Sequence, residues 1–346
     1  MLGTYNTTVL KGLINNIEKE THYFTKLLGG GGNLFFDTEE IAFDKMFKGR
    51  KTLAPYVSPM VAGVVQAKRA YETMSLKVPY IKILDQVTPK DGVRRSAGEG
   101  FTGTKTPDQR VKALRVELIT DHRHMIDRRI EEQWSQLIQY GTIDCVGKGF
   151  PHSQVDYGLS ANNLITLAGG VSWNTLNKET QGQIVLDDMK NFAERSVGTA
   201  LVCTMEQSAW EHFSQFDAVI KLLDKNIRLV TESKLELAPI VTDDTVEYKG
   251  NVGNIDIYVY KGFYENDAGV DTPYMDVGRV IFTPKAVKGV TAFGAIYDLE
   301  QGMQPVKQFT KNWYIPHPSA ENILTQSAPL CALPNIDLIV SCMVLS

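Results

Sequence analysis

The chain has 346 residues, 43% hydrophobic and 22% charged, with 36 lysines and arginines against 40 aspartates and glutamates for a formal net charge of −4. That composition supports a sizeable core and lacks the basic excess that tight binding to a phosphate backbone requires. Its apolar runs are short and broken by polar residues, so no membrane span is expected, and Met1-Leu2-Gly3-Thr4-Tyr5-Asn6 lacks the basic, apolar, small-residue order of a secretion signal.

Residues 1–28 read as an amphipathic or partly extended arm, with Val9, Leu13, Ile14 and Ile17 at helical spacing and Tyr23-Phe24 after them. Gly29-Gly30-Gly31-Gly32 then reads as a hinge, because four glycines lose too much entropy to hold a structure alone. Leu53-Ala54-Pro55-Tyr56-Val57-Ser58-Pro59-Met60-Val61 cannot be a regular helix, since its two prolines forbid one. Residues 66–105 are rich in Lys and Arg and poor in core material. With a strand at Val78–Leu84 and turns at Asp91-Gly92 and Gly98–Gly100, they read as a long two-stranded excursion that must lie on something else.

Pro107–Tyr140 is the strongest signal in the chain. Thr106 with Gln109 forms a capping box, Pro107 occupies the first helical position and Gly141 ends the run, which predicts one helix roughly 50 Å long. Its apolar stripe is taken as Val111, Leu114, Leu118, Met125, Ile130, Trp134, Leu137 and Ile138. So long a rod with one apolar edge suits an extended building block better than a catalyst wrapped around a pocket. Further on, a strand is expected at Gln154–Tyr157, a helix at Gln183–Arg195, a strand at Thr199–Met205 and short helices near 207–213 and 217–223. Beyond about residue 240 the chain turns β-rich: Ile255–Tyr260 alternates as a half-buried strand, Asn266–Gly269 is a turn, Arg279–Phe282 and Val290–Tyr297 are strands, and Ile336–Leu345 is an apolar closing strand.

A search for chemistry finds little. Gly29–Gly32 has no following Lys-Ser/Thr and so is no phosphate loop. His122 and His124, two apart on a helix, point about 200° apart and cannot share a metal, so they read as a solvated face or as His124 ion-paired with Asp127. No Gly-x-Ser-x-Gly or His-Glu-x-x-His motif occurs. Asp187-Asp188 and Asp243-Asp244 have no partner histidine. Cys145, Cys203, Cys331 and Cys342 lack metal spacing and read as buried thiols in a reducing compartment.

Three tracts, however, resemble the lambda-like (gpE-type) major capsid proteins of tailed bacteriophages. They are Leu53–Gly63; Val155-Asp156-Tyr157-Gly158 with Asn162-Asn163 and Gly169-Gly170-Val171-Ser172-Trp173; and Lys311-Asn312-Trp313 with Thr325–Leu330 and the closing strand. They fall in the family's order with the long helix between the first two, while the first 45 residues resemble the family poorly. The resemblance implies an α+β chain with the tailed-phage major capsid (Hong Kong ninety-seven-like) fold. Its parts would be an N-terminal arm at 1–45, an extended β-hairpin loop at 60–105, and a peripheral domain at 106–235. That domain would contain the spine helix 107–140, with 46–59 and part of the C-terminal region added. A mainly axial domain would occupy 236–310 and return strands 311–346.

The function implied is structural, not enzymatic: a head protein that self-assembles as hexamers and pentamers into the icosahedral virion shell around phage DNA, formed in the host bacterial cytoplasm. Implied partners are other copies, a scaffold protein, a maturation protease, the portal and a decoration protein, with the packaged DNA held only by weak, non-specific proximity. The short N-terminus leaves no room for a built-in scaffolding segment, so the scaffold is expected to be separate. No catalytic, cofactor or metal residues are expected. Arg94, Arg95, Glu99 and Phe101 on the loop are the expected inter-subunit contacts. The competing reading is a soluble α/β enzyme with a dispersed active site, which predicts a monomer or small oligomer with one deep pocket; a membrane or nucleic-acid-bound protein is disfavoured by charge and hydropathy.

Overall fold

The computed structural model describes residues 22–38, 40–46, 71–95, 105–147, 150–196, 201–222, 245–266 and 268–346. Helix α1 (Tyr23–Leu28) and strand β1 (Asn33–Phe35) lead to β2 (Glu40–Met46), β3 (Tyr71–Lys77), β4 (Ile81–Val87) and the one-turn helix α2 (Pro89–Val93). The spine, α3 (Pro107–Tyr140), follows. After it come hairpin β5 (Thr142–Gly147) and β6 (Phe150–Asp156), then β7 (Leu164–Thr166), α4 (Gly182–Arg195), β8 (Leu201–Glu206), α5 (Gln207–Ser214) and a last helix α6 at 217–222. The remainder is β9 (Val246–Val252), β10 (Ile255–Tyr260), β11 (Phe263–Glu265), β12 (Asp271–Pro273), β13 (Arg279–Pro284), β14 (Val290–Phe293), β15 (Phe309–Ile315), β16 (Ala320–Ser327), β17 (Pro329–Ala332) and β18 (Val340–Met343).

The spine runs for 34 residues within the expected bounds: Gln109 N–H donates to the Thr106 hydroxyl, the Gln109 side chain accepts from Thr106 N–H, and Gly141 stops the helix at φ 76°. A six-stranded sheet in the order β7-β18-β13-β8-β10-β9 lies against its C-terminal half. One face of that sheet packs Val202, Tyr258, Tyr260 and Ile281 into a core with Trp134, Leu137 and Ile138 of the spine and Tyr23, Phe24 and Leu28 of α1. The opposite face packs Cys203, Ile257, Val280, Phe282 and Val340 under Val185, Met189 and Phe192 of α4 and Phe213 of α5. Covered on both faces, β10 is buried throughout from Ile257 to Tyr260 and is not the half-exposed strand its alternation suggested. The closing strand is central: β18 pairs antiparallel with β13 and parallel with β7. It spans only Val340–Met343, because Ile336–Leu338 winds into a 3-10 turn.

Against the N-terminal half of the spine lies a three-stranded antiparallel sheet, β15-β16-β4. Its register sets Ile81 opposite Ser327 and Val87 opposite Glu321. The paired strand β4 falls inside the stretch 60–105 expected as the excursion. Residues 81–87 belong to the chain's own body, and α2 after them docks on the first turns of the spine, where a Cβ on Gly92 would stand 3.0 Å from Val111 Cγ2. The two-stranded ribbon is β2 with β3, in register from Glu40–Lys77 to Met46–Tyr71, with no third strand among the described residues. The Pro-punctuated run 53–63 lies outside the described residues, as do positions 1–21 of the arm. The division expected at 235–236 also does not separate sheets: the six-stranded sheet takes β7 and β8 from one side of it and β9, β10, β13 and β18 from the other.

The expected glycine hinge is instead a close-packed joint. Gly29–Gly31 form a 3-10 turn, Gly31 N–H donates to the Gly289 carbonyl at 3.0 Å, and Gly289 N–H donates to the Leu28 carbonyl at 2.7 Å. A Cβ on Gly31 would stand 2.5 Å from the Gly289 oxygen, so it is backbone contact, not freedom, that calls for glycine here.

Candidate functional site

The spine carries the features with most chemical content, and sequence reading missed most of them. The line of the spine that turns inward, from its first turns past its midpoint, is Arg115, Ile119, His122, Ile126 and Ile130. Val111, Leu114 and Leu118 of the expected stripe are only partly covered, and Met125 is 53% exposed. Two polar residues therefore sit in the apolar phase, and each fastens a distant segment. Arg115 donates through Nε at 2.8 Å and through a terminal nitrogen at 2.5 Å to Glu321 of β16, whose other oxygen accepts from Asn312 Nδ2 at 2.7 Å. His122 is fully buried, with Nδ1 2.7 Å from the Thr325 hydroxyl and Nε2 2.9 Å from Asp85 of β4. It is not the solvated histidine expected. Asp127 lies 3.8 Å from Arg123, one turn earlier on the spine.

Farther along, Glu131 is wholly buried and holds α1. It accepts from Phe24 N–H at 2.7 Å, Thr25 N–H at 2.9 Å, the Thr25 hydroxyl at 2.8 Å and the Tyr260 hydroxyl at 3.2 Å. Burial pushes its carboxyl up to about 6 in spite of those four donors. Gln133 bridges to β17, donating to the Pro329 carbonyl and accepting from Cys331 N–H. Gln139 donates to the Tyr274 carbonyl at 2.9 Å and accepts from Asp276 N–H at 2.8 Å. The spine is thus a rod to which four separate regions are pinned by buried polar contacts. The one sequence signal for this was phase: Arg115 and His122 continue the Ile119, Ile126, Ile130 spacing.

Of the expected inter-subunit residues, Arg94 and Arg95 are exposed at the end of α2, beside the start of the spine. Their turn is rigid, because Thr88 and Asp91 form a capping box and Arg110 donates to the Gly92 carbonyl. The Thr88 N–H and hydroxyl hold the Asp91 carboxyl below its usual range. Glu99 and Phe101 lie outside the described residues.

An open cleft of 940 Å³ lies between α4 and the turn joining β9 to β10, lined chiefly by Leu186, Met189, Ala193, Val252 and Ile255. Its charged groups, Lys190 and Glu194, form no nucleophile–base pair. The buried thiols Cys203, Cys331 and Cys342 are raised by burial, and Cys145 is pushed up to about 11 by the same cause, which leaves them protonated and unreactive near neutrality. Among the described residues no helix is long and apolar enough to cross a membrane.

This architecture of a long spine, a peripheral sheet, a six-stranded second sheet and a lone ribbon is that of tailed-phage capsid proteins. The crystal structure of a prophage protein from Escherichia coli CFT073, described as a capsid protein, superposes with a TM-score of 0.77 at 22% identity, covering 98% of this chain and 99% of that one. The family model of phage major capsid protein E matches residues 6–344, so the chain belongs to that family. The major capsid protein of Enterobacteria phage P21 is 30% identical over 310 residues, spanning 87% of this chain and 88% of its own. That of Escherichia phage lambda is 29% identical over 310 residues, 88% of this chain and 89% of its own. The role is structural, in a phage capsid built by self-association.

Proposed function

We propose that the chain is a shell subunit forming hexamers and pentamers that close into an icosahedral head around packaged DNA, assembled in the host cytoplasm. A separate scaffold, a maturation protease, the portal and a decoration protein belong to the same reading, and the work of the chain itself is association, not catalysis. The observation that carries this is the β2–β3 ribbon. Seven residue pairs in register leave the body without a third strand among the described residues. An isolated two-stranded ribbon is marginal in water and gains most by lying on another surface. A neighbouring copy supplies that surface in a shell. The mild net acidity of −4 suits a container that must not grip the nucleic acid it holds.

The ribbon offers a clean test. Ile41 and Leu76 are directly paired, so joining them through an Asn-Gly turn in place of residues 42–75 should reclose the stem without disturbing the buried Ile41. The full chain, expressed with a scaffold, should give capsomers or shells by negative-stain microscopy and sedimentation. The shortened chain should stay folded by circular dichroism and not assemble. A full-length chain that remains monomeric with scaffold present would overturn the reading.

A further inference from the structure

The spine ends in surfaces of opposite character. At its N-terminal end, described positions 90–95 and 105–112 carry six basic side chains and two acidic ones, and Asp91 is engaged by Thr88. Val93, 78% exposed, stands among them next to Arg94 and Arg95. The positive end of the helix dipole adds to the same sign. At the other end the β11–β12 hairpin is clamped to the spine at its stem, where the Tyr274 carbonyl accepts from Gln139 and Tyr264 packs against Tyr274 with ring centroids 5.1 Å apart.

That hairpin is acidic and apolar. The sequence 263–273 contains Glu265, Asp267 and Asp271 and no Lys or Arg. Glu265 is set directly opposite Asp271 and Phe263 opposite Pro273, so these acids and apolar groups share one face, on which Phe263 is 60% exposed, and Val270 in the turn is 57% exposed. Two like charges opposite one another on an antiparallel pair repel. The cations nearby are committed elsewhere, Lys261 to Glu247 and Arg279 to Asp276, and among the described residues neither Glu265 nor Asp271 has an ion-pair partner. The turn is stiffened by Asn266, which accepts from Ala268 and Val270 N–H and donates to the Thr272 hydroxyl. It is pre-organised for a cationic, apolar surface that its own end of the molecule does not supply.

The matching surface lies at the far end of the same spine, about 50 Å away for a 34-residue helix, beyond reach within one chain. We infer that the two ends are halves of one contact made head-to-tail between copies: the 263–273 hairpin of one subunit docks on the Val93–Arg95 patch of the next. This rests on the shell-subunit reading and names the contact within it. Such a contact joins different patches on the two partners, so it propagates around a ring until rotation closes it. Charge sets orientation and encounter, and the Val93, Phe263 and Val270 surfaces exclude water around it.

Charge reversal tests it on the full chain with scaffold. Arg94→Glu with Arg95→Glu cancels the patch's positive excess and sets two acids beside Val93 to face the acidic hairpin; Glu265→Lys with Asp271→Lys makes both ends basic. Each variant should lose at least tenfold in assembled fraction, and the chain carrying all four changes should recover to within threefold of wild type. Mixed in equal amounts, the two half-reversed chains should pair alternately and therefore close only even-membered rings, giving hexamers without pentamers. Independently, Val93→Cys with Val270→Cys should give a ladder of disulfide-linked oligomers under a mild copper oxidant, whereas each single substitution should stop at dimers. If wild type forms shells and the reversed chains do so equally, or if the fourfold chain is folded and unrecovered, this contact is wrong while the shell reading stands. A wild-type chain that stays monomeric and gives no ladder overturns both.

Discussion

Cutting one partner from the Arg115–Glu321 pair should cost far more than cutting both. The two side chains are 6% and 4% exposed, so each has given up nearly all of its hydration. Two charge-assisted bonds, at 2.8 and 2.5 Å, fall on one Glu321 oxygen, Asn312 satisfies the other, and Tyr314 accepts from the guanidinium at 3.3 Å. Desolvation of such a pair offsets most of its attraction, so the intact pair contributes little relative to an apolar one, but a lone survivor is a buried charge without its counter-ion. Arg115→Met and Glu321→Leu should therefore each lose about 3–5 kcal/mol, because neutral partners such as Asn312 and Tyr314 cannot replace an opposite charge. The double variant should fall within about 1 kcal/mol of the parent, for a coupling energy of at least about 5 kcal/mol. Urea unfolding of the unassembled subunit, followed by tryptophan fluorescence, measures all four corners. Losses that simply add, so that the double is worse than either single, would refute the account of a desolvated, mutually dependent pair.

Two further changes probe the opposite half of the spine. Glu131 has its carboxyl raised to about 6 from an ordinary 4.5, so the stability its neutral form confers is complete below about pH 4.5 and is lost as pH rises through 6, about 2 kcal/mol in all. The stability difference between wild type and Glu131→Gln should shrink by that amount from pH 4.5 to 7.5 in denaturant titrations, and a difference independent of pH would exclude a buried, titrating Glu131. At Gly289 an added Cβ would stand 2.4 Å from the Trp134 ring and 2.9 Å from the Ala332 carbonyl, so Gly289→Ala should lose about 1–3 kcal/mol through overpacking. A melting temperature equal to wild type would show that the spine's Trp134 can move aside.

What the sequence discloses about this fold divides by distance along the chain. The caps of α3 are written within four residues of each end, and Thr106, Pro107, Gln109 and Gly141 were legible for that reason. The strand at 81–87 could be recognised as a strand but not assigned to a sheet, because its partner is 240 residues away and nothing local distinguishes a lone ribbon from the edge of a body. The same limit hid the spine's buried polar residues: Arg115 meets a partner 206 positions on, His122 one 203 on and Glu131 one 107 back. Charged and imidazole groups on a helix are read as solvated unless the partner is already known, and here it never lay nearby in sequence. The glycine tract failed differently, since conformational freedom and close approach call for the same residue.

Those buried contacts also explain why a structural subunit would place charge inside. Arg115, His122 and Gln133 meet Glu321, Thr325 and Cys331 in matching order, advancing about 27 Å along the helix and about 33 Å along the C-terminal strands. An apolar seam of isoleucines could slip by one turn along a helix at small cost. A sequence of three polar pairs cannot, since each step would leave donors and acceptors buried and unmet. The spine is therefore indexed against the sheet at several points, and the distance between its two ends is fixed. For a subunit whose ends must meet those of its neighbours, register held at the centre becomes position at the rim, so loosening the Arg115–Glu321 pair should widen the spread of assembled particle sizes even where the chain remains folded.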